Sequence, residues 1–240
     1  MLSSNFYYRL NYQFKNGAIF PVFMMFIKDR LMHPFLSVRK KKFRKLHQDF
    51  LKSKKTSTDY FSANAYYWNN ILNKNFKEFS YLEIGSWEGN SALYVLKNHI
   101  TKKVVCVDLW DKTWDFKELH KKNFDNFIEN LEDFKNEYSY FKMSSDDFFS
   151  KNNQFFDVIY IDGWHGTSRV AKDISNSWKF LNLGGIIICD DYFYGDIYKN
   201  SEKNIPAPAI NNFIKINRKK LKIICVNNNQ IFIKKVLNLN

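Results

Sequence analysis

From Phe79 to Val236 the hydrophobic positions alternate between two rhythms. The short, nearly unbroken apolar runs "FSYLEIG", "KVVCVDLW", "YSYFKM", "FDVIYID" and "GGIIICDD" predict strands buried on both faces. Between them "NSALYVLKNHI", the segment near Asp115 to Phe134, a short stretch after "YSYFKM", and "SRVAKDISNSWKFL" space their apolar residues as helices do. Strands that alternate with helices in this way predict a doubly wound, parallel α/β sheet with helices on each side. "APAINNFIKINRKKL" then reads as a helix. "KIICVNNNQIFIKKV" reads as two strands joined at the asparagines, where Asn tolerates the left-handed backbone of a tight turn. The expectation is a seven-stranded sheet, mostly parallel and closed by an antiparallel C-terminal hairpin. Upstream, "TSTDYFSANAYYWNNIL" has a capping-type start and helical spacing, so a helix is expected to enter the domain from Thr56.

Composition sharpens this picture in three places. Seven of the eight glycines lie between Gly85 and Gly195, and Pro21, Pro34, Pro206 and Pro208 all fall outside the middle of the chain, so its elements run without a breaker. Cys106, Cys189 and Cys225 each sit in an apolar strand-like run without paired or metal-ligand spacing, which suits small buried residues in a reducing compartment, the cytoplasm. The run "AIFPVFMMFI" has ten residues and contains Pro21, too short for a span and without a cleavage site.

Charge is concentrated at one end. Residues 1–55 hold thirteen Lys and Arg against Asp29 and Asp49, a net +11 out of the chain's +13. This stretch is a basic, aromatic N-terminal helical extension, with the α/β domain expected over 56–240. Its cluster "RKKKFRK" among aromatic residues suits peripheral contact with an anionic membrane surface at its inner face. The same pattern is compatible with a nucleic-acid strand, the less favoured partner, or with a helix packed on its own domain.

In open α/β sheets, ligands bind beyond the carboxyl ends of the strands. The first strand ends in "EIGSWEGNS", where Gly85 lets a ligand approach the backbone and Gly89 permits a tight turn into the helix. There is no dinucleotide fingerprint and no phosphate-loop Lys, which disfavours phosphate cradling. The second strand ends at Asp108, placed to accept both hydroxyls of a ribose. After the third, Ser145 or Asp146 is a candidate for an adenine edge, although both types are also ordinary helix caps.

"YLEIGSWEGNSALYVL", "VVCVDLW" and "FDVIYIDGWHGTSRVAKDISNSWKFLNLGGIIICDDY" resemble class I S-adenosylmethionine-dependent methyltransferases, a Rossmann-like family, and within it the small-molecule O-methyltransferases with Ile-Asp-Gly-x-His and Asp-Asp-Tyr motifs. The likeness extends from Thr56 to Val236 and leaves out the basic arm. It implies S-adenosylmethionine as cofactor, with Glu83, Gly85 and Gly89 along its methionine portion, Ser86 in the same loop, and Asp108 on the ribose. Asp162, Asp190 and Asp191 would meet at one rim of the sheet and repel one another unless a cation sits among them. All-oxygen ligands suit Mg²⁺ or another divalent metal, as in the similar catechol and macrolide-sugar enzymes. His165, three residues past Asp162, falls where that family keeps its general base.

Two alternatives stay open. Adjacent Asp190 and Asp191 point to opposite faces if the strand continues, so at most one would then bind metal, or Asp162 and Asp190 only orient donor and loop. The expected reaction is O-methylation of a hydroxylated small molecule such as a sugar or glycolipid, by a chain that can also form an oligomer. The competing function is a membrane-surface or nucleic-acid binding protein with a non-catalytic scaffold. Trp164 is a candidate wall of the site, Trp178 a core residue, and Asp191 to Asn204 the candidate lid or acceptor loop.

Overall fold

The computed structural model describes residues 4–110, 122–194, 205–227 and 229–237. Its seven strands form one sheet in the order β3-β2-β1-β4-β5-β7-β6. The chain divides into two compact units, Pro34–Lys151 and Met1–His33 with Asn152–Asn240.

In the unit Pro34–Lys151, β1 (Phe79–Ile84), β2 (Thr101–Asp108) and β3 (Tyr138–Lys142) pair in parallel. All six residues of β1 are buried, Ser80 and Glu83 among them, as expected of a strand covered on both faces. Helices α3 (Ala65–Asn75), α4 (Asn90–Asn98), α5 (Asn123–Leu131) and α6 (Ser145–Lys151) belong to the same unit. The core is aromatic: the Phe61 ring meets Trp68 edge-on at 4.9 Å and lies 5.0 Å from Tyr94.

The helix expected from Thr56 starts later. Residues 56–61 are not helical, a short 3₁₀ turn occupies Ser62–Asn64, and α3 follows. The cap is Asp59, whose Oδ1 accepts the Ser62 amide at 2.8 Å, and Ser57 is pulled aside by donating its amide to Glu88 at 2.7 Å. A long-range tie has overridden a local capping signal. The helix expected near Asp115 to Phe134 is seen as α5 and a 3₁₀ turn at Glu132–Phe134; residues 111–121 lie outside the described residues.

In the unit Met1–His33 with Asn152–Asn240, β4 (Phe156–Ile161) and β5 (Leu181–Cys189) are parallel, and β7 (Ile231–Lys235) pairs antiparallel with both β5 and β6 (Leu221–Val226). Between them come α7 (Thr167–Lys179) and α8 (Pro206–Ile216), joined by a Trp178–Phe213 edge contact at 5.2 Å, so Trp178 is core. The hairpin turn is closed by the Asn227 side chain, which accepts the amides of Asn229 and Gln230 at 2.8 and 2.7 Å. Neither Asn227 nor Asn229 is left-handed, and Asn228 lies outside the described residues.

The N-terminal stretch is helical, as α1 (Ser4–Lys15) and the 32-residue α2 (Phe20–Leu51). Phe6 stacks on Phe26 at 5.8 Å, Tyr12 and Phe26 each meet Phe193, and Asn211 donates to the Asn16 carbonyl at 2.9 Å. Farther along α2, His47 is buried against Phe61 and Tyr94, and burial lowers its pKa to about 4, so it stays neutral. No helix among the described residues is long and apolar enough to cross a membrane.

Candidate active site

The candidate residues fall into two groups, one in each unit. In the first, β1 ends at Ile84, and Gly85 turns the chain at φ +90° while its amide donates to the Val107 carbonyl at 2.8 Å. Gly89 opens α4 at φ +83°, and a Cβ there would lie 2.4 Å from Leu131 Cδ1, so side-chain packing as well as backbone conformation demands glycine.

Asp108 holds this loop. Its Oδ2 accepts the Trp87 amide and its Oδ1 the Trp110 amide, both at 2.8 Å, while the Trp110 indole donates to the Trp87 carbonyl at 2.7 Å. Burial raises the Asp108 pKa, and the amides of Trp110, Trp87, Ser86 and Leu109 pull the other way. Asp108 stays half-buried at the end of β2, so its carboxylate is reachable by a ribose diol, and the residues fit the nucleoside half of the donor.

Glu83 is placed differently. Its carboxyl is fully buried, with hydroxyl contacts from Ser91 and, at 3.1 Å, from Tyr81. Burial drives its pKa up to about 8 against those two hydroxyls, so it is neutral at pH 7. Ser86 is buried next to Gly85. After β3 the cap of α6 is Ser144, whose hydroxyl accepts the Asp147 amide at 3.1 Å. Ser145 and Asp146 sit half-buried in the first turn of α6.

The second group sits at the ends of β4 and β5. Tyr160 and Asp162 are two residues apart, and the Tyr160 hydroxyl lies 2.8 Å from Asp162 Oδ2 and also against Asp190 Oδ2. Asp190 further accepts Gln230 Nε2 at 2.8 Å and the Asp191 amide at 2.7 Å. A phenol carries one proton and can donate to only one of two carboxylates; the other must itself be protonated and donate to the phenol oxygen. Burial first, and then the Asp191 charge, push the Asp190 pKa up to about 7, which makes it the carboxyl that takes up a proton near neutral pH.

Asp191 leaves the strand at φ +53°, which turns it away from Asp190 and toward His165, whose Nε2 is 2.6 Å from Asp191 Oδ2. The imidazole also stacks on Tyr194 at 4.2 Å. Asp162, His165 and Asp191 each offer a ligand atom, and these atoms lie within 4.8 Å of one another; Asp190 is not in that set. Together with Gly163, Trp164, Val170 and Pro206 they line a small open cleft. Two carboxylates and an imidazole suit a divalent metal such as Mn²⁺ as well as Mg²⁺, so the donor set fits one. Of the candidate lid, residues 195–204 lie outside the described residues.

Trp87, Trp110, Tyr160 and Gln230 were not singled out in the sequence. Tyr160 carried a signal, since it shares a strand face with Asp162, whereas Gln230 arrives from the far end of the chain.

Residues 82–192, a little under half of the chain, match the family model described as methyltransferase domain. The fold and this match make the chain similar to methyltransferase domains. A relative from Acanthamoeba polyphaga mimivirus, uncharacterized protein R132, is 29% identical over 132 residues, 54% of this chain and 58% of that protein. The match thus spans less than two thirds of that relative's length. An O-methyltransferase from Bacillus cereus, solved with S-adenosylhomocysteine, has a TM-score of 0.56 at 13% identity, covering 90% of this chain and 100% of its own. The O-methyltransferase TomG of tomaymycin synthesis from Streptomyces achromogenes, solved with S-adenosylmethionine, has a TM-score of 0.55 at 11% identity, covering 90% and 98%. An rRNA methylase from Streptococcus thermophilus reaches 0.53 at 10% identity, covering 72% and 96%, so likeness of fold does not select the acceptor.

Proposed function

We propose that the protein is an S-adenosylmethionine-dependent methyltransferase that acts on a hydroxyl of a small molecule, with His165 as proton acceptor and a divalent cation held by Asp162 and Asp191. The observation that carries the reading is the Asp162, His165 and Asp191 constellation lining a cleft at the ends of β4 and β5. In-line transfer from a sulfonium needs an aligned, deprotonated oxygen nucleophile. The Asp191 carboxylate holds the Nε2 proton of His165, which leaves Nδ1 as the basic nitrogen. A bound divalent cation would lower the pKa of the acceptor hydroxyl. Asp190, held by Gln230 and Tyr160, positions Asp162 through the shared phenol. On the donor side, Asp108 would accept the ribose hydroxyls, with Gly85, Ser86 and Gly89 shaping the loop and Glu83 bracing it from inside.

A small acceptor is favoured over RNA because residues 56–240 carry a net charge of only +2, the remainder when the arm's +11 is taken from +13. Titration calorimetry with S-adenosylhomocysteine tests the donor half: binding by the wild type, weakened at least tenfold in Asp108→Ala, is expected. Methyl transfer to a panel of hydroxylated small molecules, with and without EDTA, tests the acceptor half. Activity that survives both EDTA and Asp162→Asn would remove the metal and leave His165 as a metal-free base. Activity unchanged in His165→Ala would remove the base.

A further inference from the structure

Helix α2 has two apolar faces, and only one of them is covered. Up to His33, Val22, Phe26 and Asp29 are buried, while Phe20, Met24 and Leu31 are 73%, 45% and 59% exposed. At about 100° per residue those three fall within about 40° of one another, opposite the buried set. Past Pro34, His47 and Leu51 are buried, while Phe35 and Val38 are 79% and 77% exposed. This half also carries Arg39, Lys41, Lys42, Arg44 and Lys45, all exposed.

We propose that the part of α2 past Pro34 is a membrane-interface helix, which lays Phe35, Val38 and Leu46 among the head groups of an anionic bilayer. Leu46 is 57% exposed, and at about 100° per residue the three fall within about 80° of one another. Leaving such a row in water is unfavourable, where single exposed residues would need no explanation. The cations beside the row choose the occupant. They complement lipid phosphate and carboxylate, while a second copy of the chain would set the same cations against one another. Single-stranded nucleic acid is the poorer fit, because Val38 and Leu46 have no ring on which a base can stack. The helix lies on the surface and does not cross it, since it is not long and apolar enough to span. This surface is independent of the methyl-transfer reading.

The test is co-sedimentation of the full chain with vesicles of phosphatidylcholine alone and of phosphatidylcholine mixed with phosphatidylserine, at low and high salt. Binding to the mixed vesicles only, weakened by salt, is expected. Phe35→Asp should lower partitioning at least tenfold, and Lys41→Gln and Lys42→Gln about fivefold each. These positions are exposed, so thermal unfolding and far-ultraviolet dichroism should match the wild type. Absence of binding to the phosphatidylserine vesicles overturns the proposal, as does wild-type binding by Phe35→Asp. Sedimentation equilibrium showing a dimer that Phe35→Asp dissociates would assign the face to a second copy. Single-stranded RNA binding lost in the same variant would assign it to nucleic acid.

Discussion

Replacing Glu83 by Gln should make the protein more stable at alkaline pH while leaving it nearly unchanged at acid pH. The Glu83 carboxyl is fully buried in β1, and its pKa is pushed up from 4.5 to about 8 by burial, against the hydroxyls of Ser91 and Tyr81. The folded chain therefore keeps its proton where the unfolded chain has lost it. Its contribution to stability is complete below pH 4.5, falls as pH rises, and levels off once the folded group ionises near pH 8. At about 1.4 kcal/mol per unit, a shift of this size corresponds to roughly 5 kcal/mol, an upper bound once the buried site relaxes. Gln is isosteric, cannot ionise, and can still accept from Ser91 and donate to Tyr81. Urea unfolding of both proteins from pH 5 to pH 9 measures the difference directly. Free energies should agree within about 1 kcal/mol at pH 5 and diverge by roughly 2 to 5 kcal/mol in favour of the variant at pH 9. Curves that stay parallel across the range would refute the argument, because they would mean Glu83 titrates alike in both states.

Gly89→Ala should destabilise by about 1 to 3 kcal/mol in urea unfolding, because its Cβ would meet Leu131 at 2.4 Å and its φ is +83°. Tyr160→Phe should cost about 1 to 3 kcal/mol by the same measurement, since it leaves buried Asp190 and its neighbour Asp162 without their shared hydroxyl. Asp191→Asn should stay within about 0.5 kcal/mol of wild type, as Asn also tolerates a left-handed backbone, yet lose at least tenfold in Mn²⁺ affinity by calorimetry. Equal metal binding by Asp191→Asn and wild type would take Asp191 out of the metal set.

The sheet was legible because strands covered on both faces are written as largely apolar runs, as in β1, β4 and the second half of β5, whereas β3, expected to be buried on both faces, is mostly exposed. Helix boundaries were less so where a distant partner decides them: Ser57 is tied to Glu88 thirty-one residues away, and no local signal at Thr56 reveals it. Asp162, Asp190, Asp191 and His165 could be picked out as candidates because strand ends gather polar residues in this architecture. What could not be read was the division of labour between Asp190 and Asp191. Alternation implied that the two point apart, but which one turns inward depends on Gln230, brought by the C-terminal hairpin, and on a left-handed turn at Asp191.

That turn belongs to a pattern. Among the described residues, three that are not glycine have positive φ: Trp87, Trp110 and Asp191. Each follows a strand, respectively β1, β2 and β5, and each is held by a carboxylate. Asp108 accepts the amides of both tryptophans, and Asp190 accepts the amide of Asp191. A left-handed conformation costs a side-chain-bearing residue of order 1 to 3 kcal/mol, and a hydrogen bond from its amide to a carboxyl oxygen is of the size that can offset part of it. The carboxylates at the strand ends therefore have structural work before any ligand arrives. An acidic residue in this position is consequently weak evidence for binding taken alone. Asp162 and His165 carry more weight because neither is needed to hold a left-handed turn, and they stand with Asp191, the turn residue whose own carboxylate is free to face them across the cleft.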